Sequence, residues 1–210
     1  MNKFKPDDIV LFQGDSITDV SRSREDDSLL GNGYAMMIRA WYFSKYPESC
    51  VTFLNRGISG NRVKDLQARL DVDFIDLKPT WISIMIGVND CWRRYDSNDP
   101  TPAEEFEYRY RDLLTKLKQN SDAKLILCEP FLLHVTPERA KWREDLDPKI
   151  EVVRKLAKEF NTLLVPLDNV FADAARKRSP EFWSEDGVHP TAAGHALIAR
   201  AWLATMGIVL

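Results

Sequence analysis

Apolar residues along this chain gather in two kinds of run that take turns. Short, almost unbroken runs at residues 9–12, 51–54, 81–86, 125–128 and 163–165 have the length expected of strands buried on both faces of a sheet. Between them, apolar positions return at helical spacing. One such stretch covers residues 34–46 and stops before Pro47. A second carries Val63, Leu66, Leu70, Phe74 and Leu77, with Pro79 closing it. Phe106, Tyr110, Leu113, Leu114 and Leu117 mark a third, and Ile150, Val153, Leu156, Ala157 and Phe160 a fourth. A helix over about residues 169–178 and a last one containing Leu197, Ile198, Ala201 and Trp202 complete the series. The polar stretches at 93–100 and 134–148 show no clear period and are expected to be irregular. Strand and helix alternate without repeats or linkers, which predicts one α/β domain over residues 1–210, with a five-stranded parallel sheet covered by helices on both faces.

In sheets of this kind, ligands bind beyond the carboxyl ends of the strands. Four polar clusters fall on that rim or on loops that reach it. Gly14-Asp15-Ser16 follows the first strand, the turn at residues 55–61 follows the second, and Gly87-Val88-Asn89-Asp90 follows the third. Asp186-Gly187-Val188-His189-Pro190 lies on a loop before the last helix. Each has a chemical task. Ser16 is a weak nucleophile until a base takes its proton, and His189 is the side chain suited to that near neutral pH. Asp186 stands three residues before His189, so one tight turn can set its carboxylate against the far ring nitrogen. The tetrahedral oxyanion needs donors already in place, which the N–H groups of Ser16 and Gly60 and the amide of Asn89 can supply.

Composition removes several other functions. The 210 residues carry 29 Lys and Arg against 32 Asp and Glu, a net charge of -3, with no basic stripe to meet phosphates, so no nucleic-acid partner is expected. The longest apolar run, near residues 81–88, is far too short to span a membrane. No signal-peptide pattern is visible at the N-terminus, which leads to the expectation of a cytoplasmic protein. Cys50, Cys91 and Cys128 are widely spaced and form no CxxC pair, as expected of reduced thiols. Three histidines without ligand spacing make neither a metal site nor a cofactor an expectation.

The four clusters, in this order and spread over nearly the whole chain, resemble the sequence blocks of the SGNH (GDSL) hydrolases. The resemblance implies a flavodoxin-like three-layer sandwich and a serine esterase without metal or other cofactor. Carried over by position, Ser16 is the nucleophile, Gly60 and Asn89 join the Ser16 N–H as oxyanion donors, and Asp186 and His189 complete a triad. Within the family, residues 55–60 and 87–93 look most like bacterial acetylxylan esterases and related carbohydrate deacetylases. The chain departs from those members in carrying Glu185 directly before Asp186, with Trp183 further back.

Plainer readings exist for each residue. Ser16 could be a turn serine capping the next segment, Asn89 a turn asparagine, and Asp186 a helix-start carboxylate beside a surface histidine. Asp15 reads as a loop brace, and His134 and His195 as structural or exposed residues. Gly57-Ile58-Ser59-Gly60-Asn61 fails the G-x-S-x-G elbow because Asn61 stands where the last glycine belongs. Trp92 and Trp183 are candidates for stacking on a sugar at the site mouth, with core or interface packing as the alternative. The combined expectation is a homo-oligomeric acetylesterase acting on small acetylated carbohydrates. Its rivals are a lysophospholipase or acyl thioesterase of the same fold, and a non-catalytic flavodoxin-like binding module.

Overall fold

The structure, a computed structural model, describes residues 4–209. Met1–Lys3, which belong to the N-terminal stretch read for a signal peptide, lie outside the described residues, as does Leu210. Among the described residues, five parallel strands form one sheet: β1 (Ile9–Gly14), β2 (Thr52–Asn55), β3 (Trp81–Met85), β4 (Lys124–Cys128) and β5 (Leu163–Val165). Their spatial order is β2-β1-β3-β4-β5, so the chain reverses its direction of travel across the sheet between β1 and β3. That switch point opens a crevice at the strands' carboxyl ends.

Among the described residues, ten α-helices accompany the strands: α1 (Ser16–Asp19), α2 (Tyr34–Lys45), α3 (Val63–Ala68), α4 (Val88–Asp96), α5 (Ala103–Asn120), α6 (Pro137–Lys141), α7 (Arg143–Glu159), α8 (Leu167–Ala175), α9 (Pro180–Trp183) and α10 (Ala192–Thr205). The side chains of each strand alternate between two cores, as the two-residue period requires. Val10 and Phe12 of β1 enter one core with Tyr34 and Ile38 of α2, Phe171 of α8 and Ile198 and Trp202 of α10. Leu11 enters the other with Leu66 of α3, Leu113 of α5 and Leu156 of α7. Both faces are therefore dry, and the continuous apolar runs follow from that. Ser83 interrupts the β3 run at no cost in unpaired polar atoms, because its Oγ accepts the Trp202 indole N–H at 3.0 Å.

Three stretches differ from the sequence-based expectation. The helix expected to run through Val63, Leu70 and Phe74 ends at Ala68, and a π-helical turn covers Asp71–Ile75. Leu66, Leu70 and Phe74 nevertheless all reach the core, as their spacing predicts. The wide turn also leaves Asp73 accepting from both Arg56 (2.9 Å) and Arg69 (2.7 Å). The stretch at 93–100, read as irregular, begins inside α4, a helix that starts at Val88 immediately after Gly87. The stretch at 134–148 contains α6 and the first turns of α7. Pro137 occupies the first turn of α6, where a missing N–H costs nothing, and the Thr136 hydroxyl caps the helix.

Candidate active site

Ser16 opens α1 straight after β1, and the Asp15 carboxylate caps that helix by accepting the Ile17 N–H at 3.0 Å. As the first helical residue, Ser16 has no carbonyl one turn back to receive its own N–H. Its Oγ lies 2.9 Å from His189 Nε2, across 173 residues of sequence. On the other side of the ring, His189 Nδ1 meets Asp186 Oδ2 at 2.7 Å.

The 184–190 turn is built to present these two side chains. Asp186 Oδ1 accepts the backbone N–H groups of Val188 (2.9 Å) and His189 (2.7 Å), which folds the turn around its own carboxylate. Ser184 and Pro190 pair across its base, and the Ser184 hydroxyl donates to the His189 carbonyl at 2.9 Å. Gly187 has φ +86°, and a Cβ there would come within 2.5 Å of the Leu133 carbonyl, so the turn admits only glycine at that point. Burial alone would raise the Asp186 carboxyl. The hydrogen bonds from the His189 ring and from the two N–H groups outweigh it and hold Asp186 well below the usual carboxylate range. The bond to Asp186 raises His189 above the ordinary histidine value, against the opposing effect of burial.

The second and third clusters come to the same place. Gly60 has φ +82°, and the nearest neighbour of a Cβ built there is an Arg93 nitrogen at 3.9 Å, so the space above it is open for a ligand. The surrounding turn is strapped by hydrogen bonds. Asn55, at the end of β2, donates to the Thr18 and Leu30 carbonyls (2.7 and 2.8 Å) and accepts the Gly57 N–H (2.9 Å). The Gly57 carbonyl accepts from Arg22 and Arg24, and Asp19 accepts from Arg24 and from the Ser59 N–H. Asn55 and these charged residues escaped sequence reasoning, since a buried hub asparagine has no local pattern that separates it from a turn residue.

Asn89, Trp92 and Arg93 share one face of α4 by their three- and four-residue spacing. One N–H of the Asn89 amide is fixed on the Asn61 carbonyl at 3.0 Å, which leaves the second for a substrate oxygen. Trp92 tilts against the His189 ring at 5.6 Å between ring centres. Trp183 is not brought to this cluster. Its indole N–H bonds the Ala174 carbonyl at 3.2 Å, and it borders a surface groove with Trp41, Phe182 and Leu197. His195 is buried, accepts the Tyr34 N–H at 3.2 Å, and is pushed down to about 4 by burial, which suits a neutral structural ring. His134 is exposed.

Two further carboxyls lie beneath the site. Asp15 and Asp90 are each 1% exposed, and burial pushes both up to about 7 despite their bonds to backbone N–H groups. Because the folded value exceeds the unfolded one, native protein holds the extra proton between about pH 4 and 7, and stability falls as pH rises through that window. Asp90→Asn keeps the shape and an acceptor for the Val63 N–H (3.1 Å) without the buried charge. Thermal melts should show the variant gaining on wild type at pH 8 but not at pH 4. An equal difference at both pH values would refute the assignment. Among the described residues no group of three or more His, Cys, Asp and Glu could hold a metal ion, and no helix is long and apolar enough to cross a membrane.

A serine, an imidazole and a carboxylate in one hydrogen-bonded line, on the carboxyl rim of a parallel sheet, define the class of α/β serine hydrolases. Residues 12–197 match the GDSL-like lipase/acylhydrolase family, and the chain belongs to it; it is a carboxylic ester hydrolase with the SGNH hydrolase fold. It is 37% identical over 206 residues to the acetylxylan esterase of Geobacillus stearothermophilus, covering 94% of this chain and 93% of the relative. A crystal structure of that esterase superposes with a TM-score of 0.90 at 37% identity, over 96% of this chain and 95% of the other. A candidate GDSL-like lipase from Parabacteroides merdae superposes with a TM-score of 0.94 at 35% identity, over 98% of both chains. Solved catalytic mutants of the Geobacillus enzyme replace a serine, a histidine and an aspartate by alanine.

Proposed function

We propose that this hydrolase removes acetyl groups from small acetylated carbohydrates through an acyl-enzyme formed on Ser16. The observation that carries the proposal is the unbroken line from Ser16 Oγ through His189 to Asp186, at 2.9 and 2.7 Å. The aspartate and histidine replaced in the Geobacillus mutants stand three apart, as Asp186 and His189 do. Neutral His189 carries its proton on Nδ1 toward Asp186, which leaves the Nε2 lone pair to take the Ser16 proton as Oγ attacks the ester carbonyl. The oxyanion is received by the N–H groups of Ser16 and Gly60 and by the second N–H of Asn89. Nε2 then returns the proton to the departing sugar oxygen. A water deprotonated by the same nitrogen attacks the acyl-enzyme, and acetate leaves with Ser16 restored.

The surroundings favour a small acyl group on a polar alcohol. The side chains of His189 and Asp186 are 47% and 36% exposed, the neighbours of Gly60 and Asn89 are the polar Arg93 and the Asn61 carbonyl, and Trp92 stands beside the His189 ring. Release of acetate from acetylated xylobiose, compared with hydrolysis of nitrophenyl acetate and octanoate, tests the substrate class. A preference for octanoate would move the reading to a lysophospholipase or thioesterase. Since His189 must be neutral to act and its bond to Asp186 raises it, kcat/KM should climb with pH along one acid limb. The midpoint of that limb should lie above the ordinary histidine value of about 6.5. A pH-independent rate from pH 5 to 8 would remove His189 from the base role. A homo-oligomer, supported by the 49% exposure of Trp41, and a cytoplasmic location complete the proposal; a monomeric peak in light scattering would remove the oligomer.

A further inference from the structure

Arg139 lies on α6, outside all four motif clusters, yet its guanidinium grips the proposed relay from two directions. Its Nε–H donates to the Asp186 carbonyl at 2.9 Å. Its Cζ lies 3.9 Å from the Trp142 ring centre and 4.7 Å from that of Trp92, in the corner where the two indoles meet, with their ring centres 5.4 Å apart. Trp92 is the ring that tilts against the His189 imidazole. Trp142 is buried and stacks on Tyr95 at 4.8 Å, which anchors the aromatic corner on α4. The support beneath Arg139 is also tied to the turn. Its own N–H is held by the Thr136 hydroxyl at 3.1 Å, and the Leu133 N–H donates to the Gly187 carbonyl at 2.9 Å.

We infer that Arg139 is a positioning residue of the hydrolytic centre: it clamps the Asp186–His189 turn by the Asp186 carbonyl and fixes the imidazole's seat through Trp92. The inference rests on the Ser16–His189–Asp186 reading. A guanidinium suits this work because it is flat, stacks on aromatic faces and still projects an N–H in its plane. A lysine ammonium can bond the carbonyl or lie against an indole, but it has no plane with which to do both at once. Arg139 also places a positive charge near His189. Asp186 on the same turn and Asp15 at the head of α1 favour the protonated ring; Arg139 on α6 opposes it. The remaining close groups are the Ser16 hydroxyl and the neutral Trp92, with buried His195 of α10 behind them.

The test compares wild type, Arg139→Lys and Arg139→Met on p-nitrophenyl acetate from pH 5 to 9, with Ser16→Ala run alongside. Loss of the clamp should lower kcat by about 10²-fold in both variants while KM stays within about twofold, since displacement of a catalytic group by an ångström has that scale. The acid limb should move to higher pH in Arg139→Met and stay in place in Arg139→Lys, which retains the charge. A purely structural arginine would lower the melting temperature and the amount of active enzyme without moving the limb. Folded Arg139→Lys with wild-type kcat would overturn the inference, and so would an unmoved limb in folded Arg139→Met. If Arg139→Met does not fold, the kcat of Arg139→Lys decides alone. Full activity in Ser16→Ala would instead strike the triad reading, whatever the Arg139 variants do.

Discussion

Ser16→Ala is expected to lower kcat on p-nitrophenyl acetate and on acetylated xylobiose together, by about 10⁶-fold. The size follows from the covalent step: without Oγ no acyl-enzyme forms, and His189 has only water to activate. A residual rate of about 10³-fold over the uncatalysed reaction should survive, because the proposed oxyanion donors at Gly60, Asn89 and the residue-16 N–H are untouched. The fold should also survive, since the Ser16 side chain's hydrogen bond is to His189 and Asp15 caps α1 without it. Burst kinetics separate the possibilities. Wild type should release nitrophenol in a burst equal to the enzyme concentration, and the variant should show none. A variant as active as wild type would place the chemistry elsewhere on the molecule.

Asp186→Asn should cost about 10⁴-fold in kcat with little change in KM. The Asn carbonyl oxygen can keep the Val188 and His189 N–H groups, so the turn persists. The amide nitrogen then stands where Oδ2 was and donates to Nδ1. That forces the ring proton onto Nε2, which faces Ser16 and can no longer accept from it. Asp186 lies below its unfolded value, so its contribution to stability is present above about pH 4 and fades as pH falls through the folded value. The melting temperatures of Asp186→Asn and wild type should therefore differ at pH 7 and converge in strong acid. A variant with full kcat would show that the carboxylate does not set the tautomer.

Much of this arrangement was legible in the chain because it depends on local signals. Strands buried on both faces must be continuous apolar runs, and β1, β3 and β4 were read to within two residues at either end. The Asp186–His189 spacing is short enough for one turn to close. What escaped was local structure overruled by context. The helix α4 does carry an apolar stripe, Val88, Cys91, Trp92 and Tyr95, but it is short, starts inside the Gly87–Asp90 cluster and is interleaved with charged residues that hide its period. Pro137 and Pro148 mask α6 and α7: Pro137 fits the first turn of α6, where proline is tolerated, but Pro148 lies inside α7, where proline ordinarily breaks a helix.

The two tryptophans show the same division. Trp92 and Trp183 carry the same ring and lie near motif residues, and nothing in their neighbours separates them. The choice was made by α4, which turns Trp92 onto His189, and by α8, whose Ala174 carbonyl draws Trp183 away. The alternation of strands and helices, and the placing of Ser16, Gly60, Asn89 and the Asp186–His189 turn at its breaks, are written in the pattern of the chain. Those features follow from periodicity and from contacts within a few residues. Three-dimensional packing sets which charges brace the Gly60 turn, buries Asp15 and Asp90 beneath the site, and brings Arg139 to the Asp186 carbonyl. Each of these depends on residues tens of positions apart meeting in space, and burial and hydrogen bonding are properties of the partners as much as of the residue.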